Sequence, residues 1–202
     1  MAGNKKTEIR TLWIVLVINF LFFLIEFIFG KIHSSIGLLE DSLDMLADAV
    51  IYGLSLLALS ECACRKARIA KLVAFAQSAL VLYGFAEIVK RFLGYSAVPN
   101  YIAMIVVSVF ALIGNSVSLI LLQRLRSSDV NIKASLICSS NDVKSNAGII
   151  MAAILVLITD SFVPDLIAGI IILYLVLKGV KEIFEETKKI ENTNCDLHRK
   201  LR

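Results

Sequence analysis

The chain has 202 residues, of which 58% are hydrophobic, and its mean hydropathy is +0.80. A soluble domain of this length has nearer ~45–50% apolar residues, even when glycine is counted. With only two prolines and ten glycines, the apolar residues must lie in long uninterrupted segments, and these are helices because lipid offers the backbone no hydrogen-bond partners. This composition excludes a soluble two-domain protein. The net charge of +4 is interpreted from the distribution of basic residues among the loops, which gives the membrane topology, and not as a sign of nucleic-acid binding.

Six segments have about the ~20 apolar residues that a helix needs to cross a bilayer core. The N-terminal basic residues and the apolar run after them imitate a signal peptide, but the run is too long and contains Asn19 and Glu26, so a retained first span is predicted. The predicted organisation is an N-terminal segment (1–10), an all-α, polytopic transmembrane domain (11–184) and a short, unstructured tail (185–202). The predicted spans cover about residues 11–32, 36–60, 71–92, 101–122, 134–158 and 165–184.

The basic residues give the orientation of these spans. Most lysines and arginines lie in the N-terminal segment, in the connections after the second and fourth spans, and in the tail, whereas the other side holds only Lys31, Lys90 and Arg91. The positive-inside rule therefore places both termini in the cytoplasm. The predicted location is a membrane crossed many times, the plasma (inner) membrane of a prokaryote, with the lipid bilayer as a partner and no nucleic acid.

Four acids interrupt the apolar run of the second span: Glu40, Asp41, Asp44 and Asp48. A carboxylate at that depth costs ~2.5–3.5 kcal/mol or more, so a chain carries it there to meet a cation, a proton or a buried partner. On a helix that turns ~100° per residue, Asp41, Asp44 and Asp48 fall within ~60° of one another and form one acidic stripe. This stripe indicates a cation site inside a membrane protein.

The fifth span carries a second polar stripe. Cys138, Asp142 and Asn146 are spaced i, i+4 and i+8, and therefore share a helix face. Asp44 and Asp48 have the same spacing of four, so two helices that each present a pair of ligands can close a four-coordinate site. Tetrahedral Zn²⁺ accepts carboxylate oxygens at ~2.0–2.2 Å and thiolate sulfur at ~2.3 Å. The alternative is that these polar residues only join the helices by hydrogen bonds.

The two stripes resemble those of the cation diffusion facilitator family of divalent metal transporters. The resemblance rests on six spans, on Asn19 and Glu26 in the first, on Asp41-x-x-Asp44-x-x-x-Asp48 in the second, and on Asp142-x-x-x-Asn146 in the fifth. It covers about residues 11–184. It implies that Asp44 and Asp48 bind the transported ion together with Asp142 and the residue four before it, and that metal is exchanged for protons by alternating access, usually in a homodimer.

Two features depart from the pattern of that family. The residue four before Asp142 is Cys138, where zinc-transporting members usually have histidine, and neither His33 nor His198 lies in a predicted span. The cytoplasmic C-terminal metal-binding domain of the family has no counterpart in these residues, so a short form is expected. Cys138 is either a thiolate ligand or a small residue that lets helices approach; in the second case Asp41, Asn141, Asn146 or water completes the site.

The sequence thus predicts a transporter, not an enzyme, that moves a divalent transition metal out of the cytoplasm. Zn²⁺ is the first choice, and Cd²⁺, Co²⁺, Fe²⁺ and Mn²⁺ are accepted to some degree by carboxylate-rich sites; no further cofactor is implied. Asp41 is a candidate entry or supporting acid, and Asn146 a group that orients Asp142. Lys144 points away from the stripe and either snorkels or pairs with Glu26 or Glu87. The alternative function is a non-transporting metal-binding partner or sensor subunit.

Overall fold

A computed structural model of the chain describes residues 2–58, 63–94, 97–125 and 130–200. These residues form six helices and, within the same ranges, no strand, which confirms the predicted all-α class. Each predicted span falls on one helix, although the predicted end of the second span, at Ser60, lies outside the described residues. The helices are α1 (Ala2–Ile32), α2 (Ile36–Ala58), α3 (Ala63–Phe92), α4 (Tyr101–Arg124), α5 (Val130–Thr159) and α6 (Val163–Lys200).

Within the described residues, four helices contain a stretch long and apolar enough to cross a membrane by composition alone. These stretches are Lys6–Ile32, Tyr101–Arg124, Ser135–Thr159 and Val163–Glu182. The second helix is not among them because α2 carries four acids, and the side chains of several residues of α3 lie outside the described part of the chain. Their membrane location follows from their surroundings, since α2 packs against α1, α3, α5 and α6 and so lies inside the helix bundle.

The polarity of the bundle is that of a protein in lipid. Large apolar side chains are exposed on the outside, among them Trp13, Phe110, Ile158 and Tyr174, whereas charged and amide side chains of α1, α2 and α5 are buried. An exposed apolar surface of this extent is unusual for a soluble monomer and marks a contact with lipid or another apolar surface. The helices are therefore stabilised in the membrane with their polar groups directed inward.

A carboxylate from α6 fixes the beginning of α2. Asp165 is fully buried and accepts hydrogen bonds from Ser35 Oγ at 2.7 Å, from the Ile36 amide at 2.6 Å and from the Gly37 amide at 3.0 Å. Arg91 of α3 donates to the same carboxylate at 3.4 Å. The first amides of a helix have no partner within it, so Asp165 acts as a cap across 129 residues of sequence and joins the ends of α2, α3 and α6.

The predicted unstructured tail is wrong: α6 continues without a break from Val163 to Lys200, well beyond the predicted end of the sixth span at residue 184. Lysines and glutamates spaced by four favour a helix on this segment. The pairs Lys178–Glu182 and Lys181–Glu185 have this spacing, with the nitrogen and oxygen 3.9 Å apart in each. The C-terminal end of α6 is thus a charged extension of its apolar part.

Candidate metal site

The two predicted ligand pairs lie on facing sides of α2 and α5. Asp44 and Asp48 of α2, and Cys138 and Asp142 of α5, are all buried. The Cys138 thiol is within hydrogen-bonding reach of the Asp48 carboxylate. The Tyr52 hydroxyl of α2 also lies 3.1 Å from Ser139 Oγ of α5, which shows that the polar faces of the two helices are in contact.

The Asp142 carboxylate has no hydrogen-bond partner for either oxygen, although the residue is fully buried. One oxygen of Asp48, Oδ1, is in the same condition. A buried polar group without a partner costs ~1–3 kcal/mol, and more when it is charged, and a bilayer raises that cost further. Two neighbouring helices therefore present buried carboxylate oxygens to which no described residue donates a hydrogen bond. Ligands of a cation are expected to be in this condition.

A neutral donor lies at one oxygen of each α2 aspartate. Gln77 of α3 donates to Asp44 Oδ1 at 2.9 Å, and the Tyr52 hydroxyl lies 3.4 Å from Asp48 Oδ2. Tyr52 was not among the predicted site residues. Its position four residues after Asp48, which places it on the same helix face, is the signal that could have identified it. Gln77 lies on α3, and no spacing rule connects it with Asp44.

The ligand set as a whole remains a prediction. Within residues 2–58, 63–94, 97–125 and 130–200, no three histidine, cysteine, aspartate or glutamate side chains stand close enough together to hold one metal ion. The structure places Asp44 and Asp48 on α2 and Cys138 and Asp142 on α5, across one helix–helix contact.

The three other residues predicted near the site have different positions. Asn146 donates to the backbone carbonyl of Asp142 at 3.1 Å and to Asp41 Oδ2 at 2.7 Å, so its side chain is turned to Asp41 and not to the Asp142 carboxylate. Asp41 is buried next to it. Asn141 is only partly buried and accepts a hydrogen bond from Lys144 at 3.4 Å, which directs it away from the predicted ligands.

Lys144 does not form either of the ion pairs considered from the sequence. Its ammonium is exposed and contacts Asn141. Glu87 instead forms ion pairs with Lys31 and Lys90, each at 3.2 Å, and Glu26 is buried on α1. The spacing of two residues from Asp142 correctly placed Lys144 off the ligand face, but the packing of neighbouring helices decided its contacts.

Comparison with protein families connects this arrangement to a known group. The model of the cation efflux transmembrane domain matches residues 12–190. The matched range is most of the chain and contains all seven residues predicted at or near the metal site. Comparison with curated proteins finds no significant match.

Proposed function

The chain belongs to the cation efflux family of membrane transporters, and on this premise we propose that it exports a divalent transition metal, with Zn²⁺ preferred, in exchange for protons. Metal-cation efflux and a multi-pass membrane location follow from the family. The identity of the ion, the coupling to protons and the residues that bind the ion are our proposal.

The unpartnered carboxylate of Asp142 is the observation that carries the proposal. It lies at the contact of α2 and α5, where Asp48 has an unpartnered oxygen of its own and the Cys138 thiol reaches Asp48. Two or three carboxylates and one thiolate are a suitable tetrahedral donor set for Zn²⁺. A divalent cation between the helices neutralises charges that lipid disfavours, so the transported ion and the buried carboxylates stabilise each other.

Proton exchange follows from the chemistry of the same ligands. Carboxylates and thiols bind metal in their deprotonated forms, so protons and metal compete for the same atoms. When the ion leaves, clustered carboxylates compete for ionisation and at least one can take up a proton. The protonated cluster then carries less uncompensated negative charge once the ion has left. Proton exchange therefore does not require a histidine among the proposed ligands.

Flux into proteoliposomes is the direct test. The purified full chain is reconstituted, Zn²⁺ is added outside, and accumulation is followed with an internal fluorescent indicator, with and without a proton gradient directed outward from the lumen. We expect Zn²⁺ uptake that the gradient accelerates, and none in vesicles that contain Asp142→Asn. Zn²⁺ binding without flux supports the alternative, a metal-binding partner or sensor subunit, which the incomplete convergence of the four ligands favours.

Calorimetry tests the coupling separately. Zn²⁺ binding measured in buffers of different ionisation enthalpy should release protons near neutral pH, and the affinity should fall as the pH is lowered, since protonation removes ligands. Zero proton release contradicts the antiport. The same purified protein gives the oligomeric state, which we propose to be a homodimer formed through transmembrane helices.

A further inference from the structure

A second group of buried polar side chains lies beside the predicted metal ligands and is contributed by three helices. This outer cluster consists of Glu26 of α1, Asp41 of α2 and Asn146 of α5, each fully buried. The Asn146 amide nitrogen lies 2.7 Å from Asp41 Oδ2, and the Glu26 carboxyl is next to that of Asp41. The cluster thus brings two carboxylates and one amide together inside the bundle.

Four oxygens of this cluster have no hydrogen-bond partner. They are Oε1 and Oε2 of Glu26, Oδ1 of Asp41 and Oδ1 of Asn146. The Asn146 amide cannot relieve this by rotating, because its carbonyl oxygen then faces the Asp41 carboxylate in place of its amino group. A proton shared between the neighbouring Glu26 and Asp41 carboxyls satisfies at most two of these four oxygens, and each remaining buried group without a partner is costly.

The position of the cluster along the helices differs from that of the predicted metal ligands. Asp41 precedes Asp48 by seven residues, or ~10 Å along α2, and Asn146 follows Asp142 by four residues, or ~6 Å along α5. Because α2 and α5 run in opposite directions across the membrane, both displacements lead away from the basic, cytoplasmic side. The outer cluster therefore lies on the side to which an exported ion moves.

We propose that the outer cluster is a second cation site, made only of oxygen ligands, that receives the divalent ion after it leaves Asp48 and Asp142. This inference rests on the proposed function for the direction of movement, but the site itself rests on the four unpartnered oxygens. Carboxylate and carbonyl oxygens favour hard cations such as Mn²⁺ and Mg²⁺, whereas a site that contains the Cys138 thiolate favours Zn²⁺ and Cd²⁺. The two sites should therefore differ in the ions that they retain.

Mn²⁺ is a suitable probe for the outer cluster because all of its ligands are oxygens. Electron paramagnetic resonance also distinguishes free from bound Mn²⁺. The full-length protein in lipid nanodiscs is titrated with Mn²⁺ as wild type, Glu26→Gln and Asp142→Asn. We expect Glu26→Gln to lose one bound Mn²⁺ per chain that Asp142→Asn retains. The affinity at the outer cluster should fall by at least about tenfold, since the affinity of oxygen sites follows their ligand charge.

Glu40→Gln is the matched control, since it makes the same substitution at a different buried glutamate, which lies on α2 next to Asp41. The Glu40 carboxyl packs against Gly84 of α3, which places it on another side of α2 from the α5 contact. The control should retain every Mn²⁺ that the wild type binds. If Glu26→Gln binds as much Mn²⁺ as the wild type, or if Glu40→Gln loses the same ion, the proposed site is wrong.

A second variant, which is expected to increase Mn²⁺ affinity, keeps the site testable even if Glu26→Gln fails to fold. Asn146→Asp adds a third carboxylate to the cluster and should tighten Mn²⁺ binding by about tenfold. Unchanged or weaker binding in this variant contradicts the site. Failure of the proposed function has a different signature: wild-type proteoliposomes then show no Zn²⁺ flux, while the Mn²⁺ count and its dependence on Glu26 are unaffected.

Discussion

Two buried aspartates of this protein have opposite environments. Asp165 and Asp142 are both fully buried, yet Asp165 receives hydrogen bonds from one hydroxyl, two backbone amides and an arginine, whereas neither carboxylate oxygen of Asp142 has a partner. The fold supplies hydrogen-bond donors to the Asp165 carboxylate. The described residues supply none to the Asp142 carboxylate, which requires a cation or a proton.

This difference distinguishes the two aspartates, although their burial does not. A buried charge that is fully hydrogen-bonded stabilises the arrangement of the elements that donate to it, and its removal exposes those donors to a desolvation penalty. A buried charge without donors destabilises the folded protein until a cation or a proton arrives. The comparison therefore predicts that substitutions at the two positions affect different measurements.

The largest effect is expected at Asp142 and Asp48. Asp142→Ala and Asp48→Ala should reduce Zn²⁺ flux in proteoliposomes by at least ~100-fold, because a lost ligand costs no less than the 10–100-fold of a lost supporting group. Both variants should insert and remain monodisperse in detergent, with Asp142→Ala unfolding at or above the wild-type temperature. Wild-type flux in either variant contradicts the two-helix site.

The complementary substitution is Asp165→Ala. It leaves Ser35 and the Ile36 and Gly37 amides without their acceptor and should lower the free energy of unfolding by ~3 kcal/mol. Thermal unfolding in detergent, followed by circular dichroism, measures this loss. The control Glu185→Ala removes an exposed carboxylate and should change stability by less than ~0.5 kcal/mol. If Asp165→Ala is as stable as the control, the cap on α2 does not contribute as the geometry indicates.

A smaller and more selective effect is expected at Cys138. Cys138→Ala should weaken Zn²⁺ and Cd²⁺ binding by about tenfold or more, Cys138→Asp should shift preference towards Mn²⁺ and Fe²⁺, and Cys138→His should preserve Zn²⁺ while lowering Cd²⁺ affinity, because thiolate is the softest of these ligands. Competition titrations on the purified protein measure the order of affinities. A change of less than a few-fold in Cys138→Ala shows that the thiol is only a small packing residue.

The smallest effect is expected at Lys144, whose ammonium is exposed and contacts Asn141 at 3.4 Å. Lys144→Met removes a charge from α5 two residues from Asp142 but should leave Zn²⁺ affinity within about twofold of wild type, since the side chain points away from the ligands. Calorimetry on the two proteins side by side gives the comparison. A tenfold change in either direction indicates that the charge of Lys144 acts on the ligands through the bundle.

The six helices and the two polar stripes could be predicted from sequence because each depends on periodicity within one segment. The contacts between segments could not. Asp165 is separated from Ile36 by 129 residues, and nothing in its local sequence distinguishes it from an ordinary residue of a helix first turn. Gln77 likewise contacts Asp44 only because α3 packs against α2.

The features that differ from the predictions have the same physical origin. Of the alternatives for Lys144, the exposed ammonium agrees with snorkelling, whereas Glu87 forms its ion pairs with Lys31 and Lys90. The tail after residue 184 lacks apolar periodicity, and an unstructured tail was predicted from that lack, whereas a helix that has already been nucleated extends at little cost into lysine- and glutamate-rich residues. Periodicity within a segment predicts well where a helix lies. It predicts poorly which side chains that helix contacts and where it ends.

The cap formed by Asp165 also determines where the bundle can move. Because it joins the beginning of α2 to α6 and, through Arg91, to α3, these three helices share a pivot at one end of the bundle. Tilting a helix by ~10° about such a pivot shifts a point ~30 Å away, the length of 20 helical residues, by ~5 Å, while residues next to the pivot hardly move. Leverage alone thus favours displacement at the opposite ends of these helices, on the side where most of the basic residues lie.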